Sequence, residues 1–175
     1  MVATEVSNNH QSFQILKSLT WQHVDTLILN ANKPKLILDD VIFIHALATT
    51  IQSLCEVRKG FSLSAVMVGY HTNLLVASID GKNFRYFYNL EYEKDGEEAQ
   101  SLEACINAID EHQRPRRFFC YRAQKIIIKG KELVGANLVD VNETVTGLFA
   151  AVIQHEVENQ NYNFLPNYGI EVSIY

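Results

Sequence analysis

Apolar residues recur at Val41, Ile44, Ala48, Ile51 and Cys55, the spacing of one helix face. Asp39 or Asp40 stands where an N-cap belongs, and Arg58-Lys59-Gly60 supplies a basic last turn and a stopping glycine. The pattern predicts a helix over 39–59, with His45 one residue beyond the stripe, facing solvent or the core edge. A second helix is predicted over 142–162. There Val145, Leu148, Phe149, Val152 and Ile153 form the stripe. Asn142 is its expected N-cap, and Glu143 lies in a first turn that suits a carboxylate. Between the two helices the pattern turns to strands. Short apolar runs at 62–68 and 73–79 come first, the latter closed by Asp80-Gly81. An alternation of aromatic and polar residues follows at 84–91. Stretches 125–129 and 133–141 flank Gly130-Lys131-Glu132, read as a hairpin turn, and 169–175 alternates as a closing strand. Stretches 94–98 and 113–117 read as loops. Residues 1–20 read as a loose arm with a short helix near 14–19, 24–30 as a short strand or helical turn, and Asn32-Lys33-Pro34 as a breaker. Helices and strands are segregated, which predicts an α+β domain with a mostly antiparallel sheet, spanning 1–175 with 1–30 as an N-terminal arm.

Composition narrows the function class. The chain has 175 residues, 47% hydrophobic and 20% charged, as a globular protein with a substantial core does. Its net charge of −5 disfavours nucleic acid as a partner. The one basic cluster is Arg114, Arg116, Arg117 and Arg122, interleaved with Phe118, Phe119 and Tyr121; it reads as a polar loop feeding a strand. No apolar run approaches the ~20 residues of a membrane span, and the first residues lack the basic start and apolar core of a secretory signal. Three widely spaced cysteines, Cys55, Cys105 and Cys120, argue against a disulfide framework and fit a reducing cytoplasm.

The candidate chemistry lies near the end of the second predicted helix. Gln154-His155-Glu156-Val157-Glu158-Asn159 is H-E-x-x-N, one residue short of H-E-x-x-H. In the full motif two histidines one turn apart grip a metal and the glutamate acts as general base. Here the second position is an amide.

Three stretches in order resemble the motifs of the peptide deformylases, which remove the formyl group from N-terminal formylmethionine. Gly60-Phe61-Ser62-Leu63-Ser64-Ala65-Val66-Met67 matches G-x-G-x-A-A-x-Q. Glu103-Ala104-Cys105-Ile106-Asn107 matches E-G-C-L-S, and Gln154–Asn159 matches Q-H-E-x-D-H. Gly147 stands at the family's distance before His155. The resemblance covers roughly residues 35–165 and implies antiparallel sheets around a central helix carrying the H-E-x-x-N. It implies a divalent iron, zinc or nickel ion held by Cys105, His155 and Asn159, the last a weak ligand because its amide is neutral. Glu156 takes the place of the general base, and the Ile106 N–H that of an oxyanion donor. Gly60, Ser62, Ala65, Met67 and Arg122 take the places lining the peptide groove. Met67 replaces the glutamine that helps hold the oxyanion, and a lost donor of that kind costs on the order of 3 kcal/mol. Ser62 and Ala104 replace glycines and Ser64 an alanine, narrowing the groove. His112, seven residues after Cys105, is a remote candidate for a replacement ligand.

The expected function is a deformylase-like protein whose ordinary activity is lost or reduced and whose groove binds a peptide or small acyl-amine. The alternative is an active metal-dependent amidase with altered ligands and specificity. A third reading is a regulatory partner docking through the closing strand 169–175.

Overall fold

A computed structural model describes residues 34–172 together with Leu19, Leu27, Ala31 and Asn32. The expected arm and its short helix lie outside the described residues apart from Leu19. Of 24–30 only Leu27 is described, helical and fully buried.

The first long helix, α1, runs Val41–Val57. Asp40 caps it, its carboxylate accepting from the N–H groups of Ile42 at 2.9 Å and Phe43 at 3.2 Å. The buried face adds Phe43 and Leu47 to Ile44, Ala48, Ile51 and Cys55, while His45 is exposed. Asp40→Ala is expected to lower stability by about 0.5–2 kcal/mol, read by urea denaturation, because two N–H groups lose their acceptor.

Strands then follow as β1 Ser62–Ser64, β2 Leu74–Ala77, β3 Arg85–Lys94, β4 Glu98–Ile109, β5 Pro115–Ala123, β6 Lys125–Val134 and β7 Asn137–Thr146. The second long helix, α2, spans Gly147–Gln160, and a short helical turn Leu165–Tyr168 leads into β8, Ile170–Val172. One sheet has the order β1-β2-β3-β6-β7 and the other β4-β5-β8, and every pairing is antiparallel. The expected α+β architecture holds. Helix α2 touches strands of both sheets. One core cluster gathers around α1 with Leu63, Met67, Phe118 and Phe164, and another holds Phe87, Ile126, Ile128, Ile153 and Val157.

Five expectations are corrected. The second helix begins at Gly147, not at Asn142: Asn142, Glu143 and Val145 belong to β7, opposite Lys129, Ile128 and Ile126 of β6. A continuous ladder of strand hydrogen bonds outweighs a local capping pattern. Leu148, placed on the apolar stripe, is 59% exposed. The buried face of α2 is instead half polar, with Gln154, Glu156, Asn159 and Gln160 beside Ala150, Ile153 and Val157.

The run at 62–68 is a three-residue strand followed by a 3-10 turn, Ala65–Val68. Gly130-Lys131-Glu132 is not a turn; β6 runs through it, and the hairpin turns at Gly135, which has φ +59°. Gly130 has φ +155°, and a Cβ there would lie 2.7 Å from the Asn89 carbonyl oxygen, where the β3–β6 register shifts. Its role is close approach of two backbones. Gly130→Ala is expected to destabilise by about 1–3 kcal/mol, because the obstructing atoms are backbone; thermal unfolding would show it.

The loop expected at 113–117 is a turn at 110–114, with β5 already begun at Pro115. The Asp110 carboxylate organises it, accepting from the N–H groups of His112 and Arg114, both at 2.8 Å.

Candidate active site

Strand β4 carries Glu103 and Cys105, two residues apart and so on one face. Helix α2 carries His155, Glu156 and, one turn after His155, Asn159. These side chains line a cavity of about 360 Å³ with Gly60, Ser62, Met67 and Ile106. Its walls include Phe61, Leu102 and Leu148, which are 46%, 47% and 59% exposed and form an apolar rim. The stretches 60–67, 103–107 and 154–159 thus converge on one space.

His155 Nδ1 donates to Glu103 Oε2 at 2.9 Å. Burial alone would pull the imidazole pKa down. Hydrogen bonds with Cys105 and Glu103 and the charge of Glu156 outweigh burial and push it up to about 10. Burial opposes ionisation of Glu103 as well, but its bonds with Arg122 and His155 hold that carboxyl well below the usual range. Arg122 is only 4% exposed. Its Nε and Nη2 bond both Glu103 oxygens at 2.8 Å, and its Nη1 reaches Glu158 at 2.6 Å. Nη2 also donates to Tyr168 Oη at 2.7 Å. Arg122, expected to line the groove, is not among the residues that line the cavity. Two carboxylates hold the guanidinium, which braces Glu103 and so His155.

Glu156 is buried, and both its oxygens are engaged. Ser62 Oγ donates to Oε1 at 2.8 Å, and Asn159 Nδ2 donates to Oε2 at 3.3 Å. Met67 is buried in the 3-10 turn, and its carbonyl accepts from Asn107 Nδ2 at 2.8 Å. That bond ties the first motif stretch to the second. Ile106 stands where the β4–β5 register breaks between Cys105 and Ile109. Ala65 is fully buried at the start of the 3-10 turn and does not line the cavity.

His112 is placed away from the cavity, its side chain 64% exposed beside Glu111. Cys55 and Cys120 are buried thiols, each pushed up to about 12, chiefly by desolvation, which makes them poor nucleophiles. Three arginines of the expected basic cluster are taken up by carboxylates: Arg114 by Asp110, Arg116 by Glu171, and Arg122 as above. No helix among the described residues is long and apolar enough to cross a membrane.

Cys105 and His155 line the cavity together and are hydrogen-bonded. Among the described residues, however, no three His, Cys, Asp or Glu side chains converge as a metal site. At the third position Asn159 turns its amide nitrogen toward Glu156. The residues present make two strong donors and do not complete a set.

The sequence profile described as Polypeptide deformylase matches residues 31–162. The chain belongs to the polypeptide deformylase family. Solved structures agree on the fold. A peptide deformylase from Thermotoga maritima superposes with a TM-score of 0.74 at 18% identity, covering 86% of this chain and 96% of that one. One from Legionella pneumophila gives 0.67 at 20%, covering 83% and 82%. A class I type b peptide deformylase from Acinetobacter baumannii gives 0.71 at 20%, covering 83% and 95%. No curated protein sequence matches the chain. Within this deformylase-family fold, sequence reasoning quoted Glu103, Asn107 and Glu158 in the motif stretches without giving any of them a role, and it missed Tyr168 altogether. Glu103 was signalled by its place two residues before Cys105; Tyr168 carries no local signal.

Proposed function

We propose that this deformylase-family chain has lost ordinary deformylation of formylmethionine, or retains it only weakly, and that its cavity binds a peptide or small acyl-amine. The engagement of Glu156 carries the proposal. A general base must be free to accept a proton from an attacking water. Here Ser62 and Asn159 already bond its two oxygens. The incomplete ligand set around Cys105 and His155 supports the same reading. So does Met67, whose thioether gives no donor to a developing oxyanion, a loss on the order of 3 kcal/mol. The Ile106 N–H remains as the donor that does not depend on a side chain. The apolar rim of Phe61, Leu102 and Leu148 suits an apolar side chain or acyl group.

One observation favours a second reading, an active metal-dependent amidase. His155 donates Nδ1 to a carboxylate, the outer contact that orients metal-ligating histidines. In that case Cys105, His155 and Asn159 would hold one iron, zinc or nickel ion and Glu156 would be the base.

Metal analysis of protein purified anaerobically, turnover of formyl-methionyl peptides with added ferrous, nickel or zinc ions, and calorimetric binding of the same peptides separate the two. Binding without turnover is the expected result. Turnover that disappears in Glu156→Ala would establish the amidase reading, and neither binding nor turnover would remove both.

A further inference from the structure

We propose that the cavity takes an N-acyl amino acid with a free carboxylate, and that Lys59 at its edge holds that carboxylate. The inference rests on the reading above in that the cavity must bind an acyl-amine; it adds the charge that the ligand carries. Lys59 lines the cavity and is exposed. Among the described residues its ammonium makes no ion pair, whereas Lys94, Lys125, Lys129 and Lys131 each pair with a carboxylate. The two carboxylates of the lining are already engaged, Glu103 by Arg122 and His155, Glu156 by Ser62 and Asn159. Lys59 is the charged group of the cavity left for a ligand.

Backbone bonds fix where this lysine stands. Helix α1 closes with the Lys59 N–H donating to the Glu56 carbonyl at 2.9 Å and the Gly60 N–H to the Cys55 carbonyl at 3.0 Å. That closure holds Lys59 at φ +54°, the left-handed position that glycine usually fills. Ending the helix does not call for a lysine here, so its charge needs another account.

Charge then orients the ligand. Glu156 is buried and its partners, Ser62 and Asn159, are neutral, so it repels a carboxylate that enters beside it. Lys59 attracts one at the exposed edge. The apolar rim of Phe61, Leu102 and Leu148 receives a side chain. An apolar side chain, an acyl-amide and one outward carboxylate are the parts of an N-acyl amino acid. The volume of about 360 Å³ is small for a ligand cavity and suits one acylated residue rather than a longer peptide.

Calorimetric titration of the whole chain with formyl-methionine and with its neutral carboxamide tests the pairing, because the two differ only at the carboxylate. The acid should bind on the order of 5-fold more tightly, the upper range for an exposed ion pair. High salt should shrink that preference. Lys59→Gly should bring the two ligands to equal affinity, and circular dichroism should show the chain folded, since glycine suits the left-handed position. Lys59→Glu should reverse the preference. Equal affinities in the wild type, or a preference that persists in folded Lys59→Gly, would overturn the proposal and leave the acyl-amine reading standing. Tighter binding of formyl-methionyl-alanine than of formyl-methionine would overturn the assignment to a single acylated residue. Binding of none of these compounds would remove both readings.

Discussion

Replacing Arg122 with alanine is expected to lower the unfolding free energy by about 3–5 kcal/mol, the cost of breaking a buried ion pair from one side. The size follows from what is left behind. Glu103 and Glu158 have side chains only 12% and 19% exposed, and both rely on this guanidinium. Arg122 also lies over the Tyr168 ring, 5.6 Å from its centre, and bonds its hydroxyl. Alanine would strand two carboxylates and empty the space. For a chain of this size the midpoint of thermal unfolding should fall by about 10 °C. Arg122→Lys should recover part of the loss, since a lysine keeps the charge but cannot make the two-pronged bond to Glu103. Thermal and urea unfolding of the three proteins would check this, and a loss below about 1 kcal/mol would mean the cluster is effectively solvated.

The second large effect is expected at Asn159, where histidine should raise zinc or nickel affinity. Asn159 is 2% exposed and one helical turn from His155. An imidazole there would add a third strong donor to Cys105 and His155 and remove the amide bond to Glu156. Altering even an outer partner of a ligand shifts affinity by about 10–100-fold, so a new direct ligand should exceed that range. Competition with a chromogenic chelator would measure it. Unchanged affinity would mean that the space between Cys105 and His155 no longer suits an ion. Hydrolysis need not return, because Met67 still offers no donor and Ser62 still bonds Glu156.

The first helix was legible because its signals are local. Asp40, the spacing of Ile44, Ala48, Ile51 and Cys55, and the glycine at 60 all act within one or two turns of chain. The motif stretches were legible because side-chain chemistry at short spacing carries its own signature. Strand β4 was not legible. From Glu98 to Ile109 it alternates polar and small residues, GluAlaGlnSerLeuGlu at its start, with no bulky stripe to mark it. Its pairing with β5 makes it a strand. Gly130 looked like a turn because glycine serves both turns and close backbone contacts, and only the Asn89 carbonyl across the sheet separates the two uses. The start of α2 was misplaced for a related reason. Asn142 and Glu143 suit a helix cap locally, but their backbone groups are committed to β6.

By itself, the sequence determined the family resemblance, the α+β class, the first helix, and the identities of Cys105, His155, Glu156 and Asn159. Those follow from residue type and short-range spacing, which need no fold to be read. Tertiary structure alone decided the rest. It gathered Arg122, Glu103 and Glu158 into a buried ion cluster, and it left His112 exposed. It set Ser62 against Glu156 across 94 residues of chain. Such contacts depend on the register of paired strands and on the angle at which α2 meets both sheets. Neither is encoded within any single stretch of residues.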